Sequence, residues 1–167
     1  ILIDPLTEAE DYFKKNLKHR DATFFKIALG SSNQTKKMNI EPRPGRSTFE
    51  EVTDFNYEGE ITQTREIYTT TLDQLLSGEK NLGRIGIKID TEGYELNVIN
   101  GASNILKKAE FVIAEVRHNY ESYKGGYILA DFMLAMHEND FILTNVYTAK
   151  PLIVDLCFQP KSTLTTT

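Results

Sequence analysis

Three carboxylates, Asp90, Glu92 and Glu95, fall close together in the stretch IGIKIDTEGYE over residues 85–95. Carboxylates gathered this way can take a proton from a reacting hydroxyl, hold a hard divalent cation, or cap the start of a helix. Capping needs one acid, and these three, with a further one at Glu115, exceed it. Asp90 and Glu92 are therefore the candidates for a functional role, while Glu95 is expected to reach back to the turn. His118, just past Glu115, adds an imidazole whose free pKa near neutrality suits a general base, with a surface loop histidine as the plainer account. Asp90, Glu92, Glu115 and His118 also make a plausible cation set of oxygens and one imidazole. Their spacing matches no recognised metal motif, however, and the Asp-x-Glu-Gly run is too short for a calcium loop, so no metal is assigned.

The elements that must position these acids are readable from period. Ile85, Ile87 and Ile89 form an apolar β-branched strand, and Val98, Ala102, Ile105 and Leu106 follow at helical spacing. The acids thus occupy a strand-to-helix turn, where ligands bind in open α/β sheets. Gly101 should interrupt the helix, which runs to about residue 108. Residues 111–116 read as the next buried strand. Ile128, Leu129, Phe132, Met133 and Met136 form the apolar face of another helix, with both methionines in the core. Strands at 141–147 and 153–158 are joined by a link too short for a crossover, so they should form an antiparallel hairpin. Upstream, residues 1–3 are a strand ending at Asp4. A capping box at Thr7 and Glu10 opens a helix with Ala9, Phe13 and Leu17 on one face, and residues 22–29 are a second strand, giving a parallel β-α-β unit. Residues 34–70 are expected to be an antiparallel insertion, with strands at 36–40 and 61–70 around a proline loop whose Arg43 and Arg46 could contact an anionic group, a solvated loop being the plainer account. Residues 71–76 form a short helical turn.

Composition sets the frame. A chain of 167 residues, 40% hydrophobic and 26% charged, suits one globular domain spanning 1–167. Its net charge of −5 counts against a nucleic-acid coat, so no nucleic-acid partner is expected. Cys157 stands alone between Leu156 and Phe158, as a buried thiol in a reducing compartment would. No apolar run approaches the ~20 residues of a membrane span and no leader is visible, so no membrane is expected and the cytoplasm is the default. The chain opens on Ile1 already strand-like, as though inside a domain.

The stretch IKIDTEGYE over 87–95, followed by VINGA at 98–102 and IAEV at 113–116, resembles the FkbM family of methyltransferases. Thr71-Leu72-Asp73, Ile3-Asp4-Pro5 and Ala28-Leu29-Gly30 resemble further elements of that family in the right order. The resemblance implies a Rossmann-like class I methyltransferase sheet, mostly parallel with a C-terminal antiparallel hairpin, and S-adenosylmethionine as cofactor. It further implies O-methylation of a hydroxyl on a sugar or natural-product-like small molecule. Asp4 matches the acid that binds the ribose hydroxyls, Ala28 and Leu29 the segment beside the adenine, and Asp90 the methyl-transfer cleft, where it also borders the cofactor. Asp90 is the first choice of base, with Glu92, Glu115 and His118 as the other catalytic candidates. The family's first strand and glycine-rich loop have no counterpart before Ile1. The expectation is that they are missing and that the 167-residue chain alone binds cofactor weakly and is inactive, unlike a longer gene product. Two other classes stay open: a catalytically silent or truncated binding module, and a metal-dependent hydrolase using the strand-end acids.

Overall fold

The computed structural model describes residues 1–17, 21–42, 45–52, 60–79, 81–117, 123–149 and 152–164. Strand β1 (Leu2–Ile3), helix α1 (Thr7–Asn16) and strand β2 (Phe24–Phe25) make the expected parallel β-α-β unit, with Leu2 opposite Phe24 and Ile3 opposite Phe25. The helix leans on this pair through Phe13, whose ring centroid is 5.2 Å from that of Phe24. Its start differs from the expected capping box. Leu6 is the N-cap and offers no side-chain acceptor; its own N–H donates to Asp4 Oδ1 at 2.8 Å, and the Thr7 hydroxyl instead accepts from Lys26 Nζ.

The strand expected over 22–29 is two strands. The Ile27 N–H bonds back to the Phe25 carbonyl at 3.0 Å, a three-residue turn that ends β2 and redirects the chain. Strand β3 (Ala28–Leu29) therefore joins a different sheet, pairing in parallel with β5 (Gln63–Thr70). On its other side β5 pairs antiparallel with β4 (Gln34–Ile40), from Gln34 opposite Thr69 to Ile40 opposite Gln63. Arg43 lies outside the described residues.

A third sheet has the order β6 (Ile85–Ile89), β7 (Ala109–Arg117), β9 (Ile153–Pro160), β8 (Phe141–Ala149). β6 runs parallel to β7, and β9 is antiparallel to both β7 and β8, so the C-terminal hairpin is present. The strands do not form the single, mostly parallel sheet the resemblance implies. Parallel pairs β1–β2, β3–β5 and β6–β7 are matched by antiparallel pairs β4–β5, β7–β9 and β8–β9, which makes this an α/β fold with mixed sheets. Among the described residues β1 pairs only with β2 and β6 only with β7.

Helices α2 (Leu72–Leu75), α3 (Glu95–Asn100), α4 (Ser103–Leu106) and α5 (Leu129–Glu138) cover the third sheet. Alternate residues of β7, Val112, Ala114 and Val116, are fully buried against Ile99 of α3 and Phe132 and Met136 of α5. Met133 packs at the margin of this core, and Cys157 is buried as expected. No helix among the described residues is long and apolar enough to cross a membrane.

The break between α3 and α4 falls at Gly101. A Cβ there would stand 2.1 Å from the Gly30 carbonyl oxygen and 3.2 Å from Thr71 Cβ. Across the break the Asp73 N–H donates to the Gly101 carbonyl, and the Asp73 carboxylate caps α4 by accepting from the Asn104 and Ile105 amides at 2.9–3.0 Å. Thr71 in turn caps α2 through its hydroxyl, which accepts from Gln74 N at 3.1 Å. Because the obstacle at Gly101 is backbone rather than a movable side chain, Gly101→Ala is expected to lower unfolding free energy by about 2–3 kcal/mol. Urea unfolding checks this; a midpoint equal to wild type would mean the α3–α4 junction is looser than its contacts indicate.

Candidate functional site

The turn after β6 is built around one buried carboxylate. Glu95 is 1% exposed, and its Oε1 accepts from Thr91 N at 2.8 Å, Thr91 Oγ1 at 3.1 Å and Gly93 N at 3.2 Å. Its Oε2 accepts from the Tyr127 hydroxyl at 2.6 Å. A buried carboxylate is tolerated when its lone pairs are filled, and these four bonds fill them while tying down the loop. Glu95 thus reaches back to the turn, as expected. Within the loop Glu92 and Gly93 both take positive φ, 51° and 98°. Gly93 has a second reason to be glycine: a Cβ would lie 2.7 Å from the Tyr123 ring.

Glu92 points toward β7, where the Arg117 guanidinium donates to Oε2 and the Tyr123 hydroxyl stands 3.4 Å from the same oxygen. Arg117 also lies over the Tyr123 ring at 4.8 Å, so the ion pair is backed by an aromatic face. Asp90 is different. Its side chain is half-exposed, with Lys88 Nζ 4.0 Å away, and Lys88 is held nearer to Asp155 at 3.1 Å. Asp90, Glu92 and Glu115 bring carboxylate oxygens within 4.8 Å of one another. Three of the four predicted catalytic residues are therefore brought together; His118 lies outside the described residues.

Partial burial pushes the Glu115 carboxyl above its ordinary value, and the charges of Asp90, Glu92 and Asp155 add to the rise against the pull of Lys88. Burial likewise raises Asp4, opposed by the Leu6 N–H that favours its charged form, with the charge of Glu8 adding to the rise.

A cavity of about 680 Å³ opens beside these acids. Asp4, Ala28, Leu29 and Asp90, the residues the resemblance assigns to the cofactor, all line it, together with Glu92, Phe49 and Tyr94. Residues of β1 and β6 line it as well. Sequence reasoning missed Arg117, Tyr123 and Tyr127 as organisers of the acids, and missed Phe49 and Tyr94, whose rings meet at 4.9 Å in the wall. Arg117 at the end of a strand beside Glu115 was the one signal on offer.

Residues 1–143 match the methyltransferase FkbM domain. The chain belongs to this family. It is also 30% identical over 116 residues to the hexuronic acid methyltransferase AglP of Haloferax volcanii; the match covers 68% of this chain and 45% of that protein. No solved structure matches significantly. The FkbM match embraces the elements just described: the Asp90–Glu95 turn, the Thr71-Leu72-Asp73 caps and the Gly101-Ala102 junction packed against Gly30.

The raised carboxyl at Glu115 has a consequence for stability. The folded protein holds a proton at this group more tightly than the unfolded chain does, so ionising it takes away stability as pH rises above the ordinary value of 4.5. Glu115→Gln should therefore unfold at a higher urea concentration than wild type near neutrality. The two should coincide at acid pH, below that ordinary value, where both side chains are neutral. A gain of the same size at both pH values would show that charge is not the cause.

Proposed function

We propose that this protein transfers a methyl group from S-adenosylmethionine to a hydroxyl oxygen of a sugar or sugar-like small molecule. The observation that carries the reading is the placement of Asp4, Ala28, Leu29 and Asp90 on the wall of one cavity, although they come from three separate parts of the chain. At about 680 Å³ the cavity lies within the usual range for small-molecule sites. The donor set fits the cofactor. One oxygen of Asp4 is engaged by Leu6 N–H, and the carboxylate can still accept from a vicinal diol such as a ribose. Ala28 and Leu29 offer small apolar surface for a flat ring, and the acids at the cavity suit a cationic ligand.

When bound, S-adenosylmethionine supplies an electrophilic methyl group on a sulfonium sulfur. Asp90 then has the exposure and position to accept the proton of the acceptor hydroxyl as its oxygen becomes nucleophilic. Lys88 places a positive charge beside that carboxylate. Glu92 is committed to Arg117 and so serves to shape the cleft rather than to take the proton. Arg117 and Lys88 already compensate part of the negative charge that Asp90, Glu92 and Glu115 would offer a metal ion, which supports transfer over a metal-dependent hydrolase. The hexuronic acid in the name of the Haloferax volcanii relative supports a sugar acceptor.

The same reading takes the fold as Rossmann-like, with β2-β1 and β6-β7-β9-β8 as two parts of one class I sheet. Such a sheet has a further parallel strand, ending in a glycine-rich loop, between the positions of β1 and β6. Among the described residues β1 pairs only with β2 and β6 only with β7, and both strands border the cavity, which supports it.

Calorimetric titration of the full-length protein with S-adenosylmethionine, and methyl transfer to a panel of neutral sugars and hexuronic acids, test the proposal. Asp90→Asn should lower turnover by about 10²–10⁴-fold while leaving cofactor affinity nearly unchanged. Absence of cofactor binding by the full-length protein, or full activity in Asp90→Asn, would overturn it.

A further inference from the structure

Resting on that reading, we infer that Thr48 is a positioning residue for the reaction: its hydroxyl holds the left-handed backbone at Glu92 and so sets where the acids stand in the cleft. Thr48 lies in the segment that returns from β4 and is fully buried. Its amide and carbonyl exchange hydrogen bonds of 3.0 and 2.8 Å with Asn39, which fixes it to the edge of β4. The hydroxyl then donates to the Glu92 carbonyl at 2.6 Å and accepts from Glu50 N at 3.0 Å. A carbonyl can only accept, so the hydroxyl hydrogen is committed to Glu92.

A residue with a Cβ at φ 51° persists only where its surroundings over-determine it. Three contacts do so here. Thr48 holds the Glu92 carbonyl, Glu95 holds the next amide at Gly93, and Arg117 holds the carboxylate. The last two come from the helix and strand that follow the turn, whereas Thr48 brings in the β4 side of the molecule. Its neighbours Ser47 and Phe49 line the cavity, and Val52 forms a bridge with Tyr123, whose hydroxyl reaches both Glu92 and Thr48. Without the Thr48 hydroxyl, Glu92 is free to leave positive φ. Its carboxylate then departs from Arg117, and the charge around Asp90 and Glu115 is redistributed.

Two variants of the full-length protein test this. Thr48→Val keeps the branched shape and deletes the hydroxyl; Thr48→Ser keeps the hydroxyl and deletes a methyl. In the cofactor-free protein, amide hydrogen exchange at Thr91 and Gly93 should be faster in Thr48→Val by roughly tenfold or more and unchanged in Thr48→Ser. With S-adenosylmethionine as donor and glucuronic acid as the probe acceptor, Thr48→Val should lose roughly ten- to a hundredfold in kcat at unchanged KM for the donor, and Thr48→Ser should retain both. Should Thr48→Val not fold, Thr48→Ala against Thr48→Ser decides the same question. Wild-type exchange at the turn in the variant lacking the hydroxyl, or equal impairment of Thr48→Ser, would leave Thr48 a packing residue and overturn the inference. If wild type fails to methylate any acceptor, the proposed function falls, and the exchange comparison alone decides the role of Thr48.

Discussion

The carboxylate of Glu95 is the constraint on which the candidate site depends. An acid buried to this extent must have its lone pairs filled, and the groups that fill them are the loop's own amides and hydroxyl on one oxygen and Tyr127 on the other. The consequence is a fixed turn at the end of β6, from which Asp90 and Glu92 bring their carboxylates together with that of Glu115 while each meets a different cation. Tyr127 precedes α5, so the same carboxylate also ties that helix's entrance to the turn. Residues of the same charge then acquire different work. Glu95 organises, Glu92 is neutralised by Arg117, and Asp90 stays half-exposed beside the cavity.

The sheets supply the frame for this turn. β7 is held on both sides, by β6 in parallel and by β9 in antiparallel register, and its buried alternate residues anchor the helices that pack over it. That leaves the carboxyl ends of β6 and β7 fixed relative to each other, and with them Asp90 and Glu115. The cavity is also lined by Asp4, just past β1, and by Ala28 and Leu29 of β3. The cavity is therefore lined from three sheets, by segments distant in sequence.

What was legible in the sequence was local. The isoleucine alternation of 85–89, the helical spacing that follows, the break at Gly101 and the terminal hairpin depend on periodicity and short links, and all appear as read. The continuous strand over 22–29 did not appear. Its apolar run carries no mark of the Ile27-to-Phe25 turn, and β3 is drawn away by β5, some forty residues on. The capping box at Thr7 failed because the helix starts one residue earlier: Leu6 is the N-cap, the Glu10 N–H donates to the Leu6 carbonyl, and the Thr7 hydroxyl accepts from Lys26 Nζ. Within the site the acids were visible as a cluster, since they share one short stretch. Their partners were not: Arg117, Tyr123 and Tyr127 lie 25, 31 and 32 residues from the acids they bind. Hydrogen bonds across such separations are products of the fold and leave no spacing to read.

The proposed function depends most on whether S-adenosylmethionine occupies the cavity beside Asp90. A crystal structure of the full-length protein grown with S-adenosylhomocysteine, the demethylated cofactor, addresses it most directly. The account predicts the ribose hydroxyls on the Asp4 carboxylate, the adenine against Ala28 and Leu29, and the sulfur facing the Asp90 end of the cavity. The nucleoside bound elsewhere, with Asp4 and Asp90 making no contact to it or to the space beside its sulfur, would contradict it.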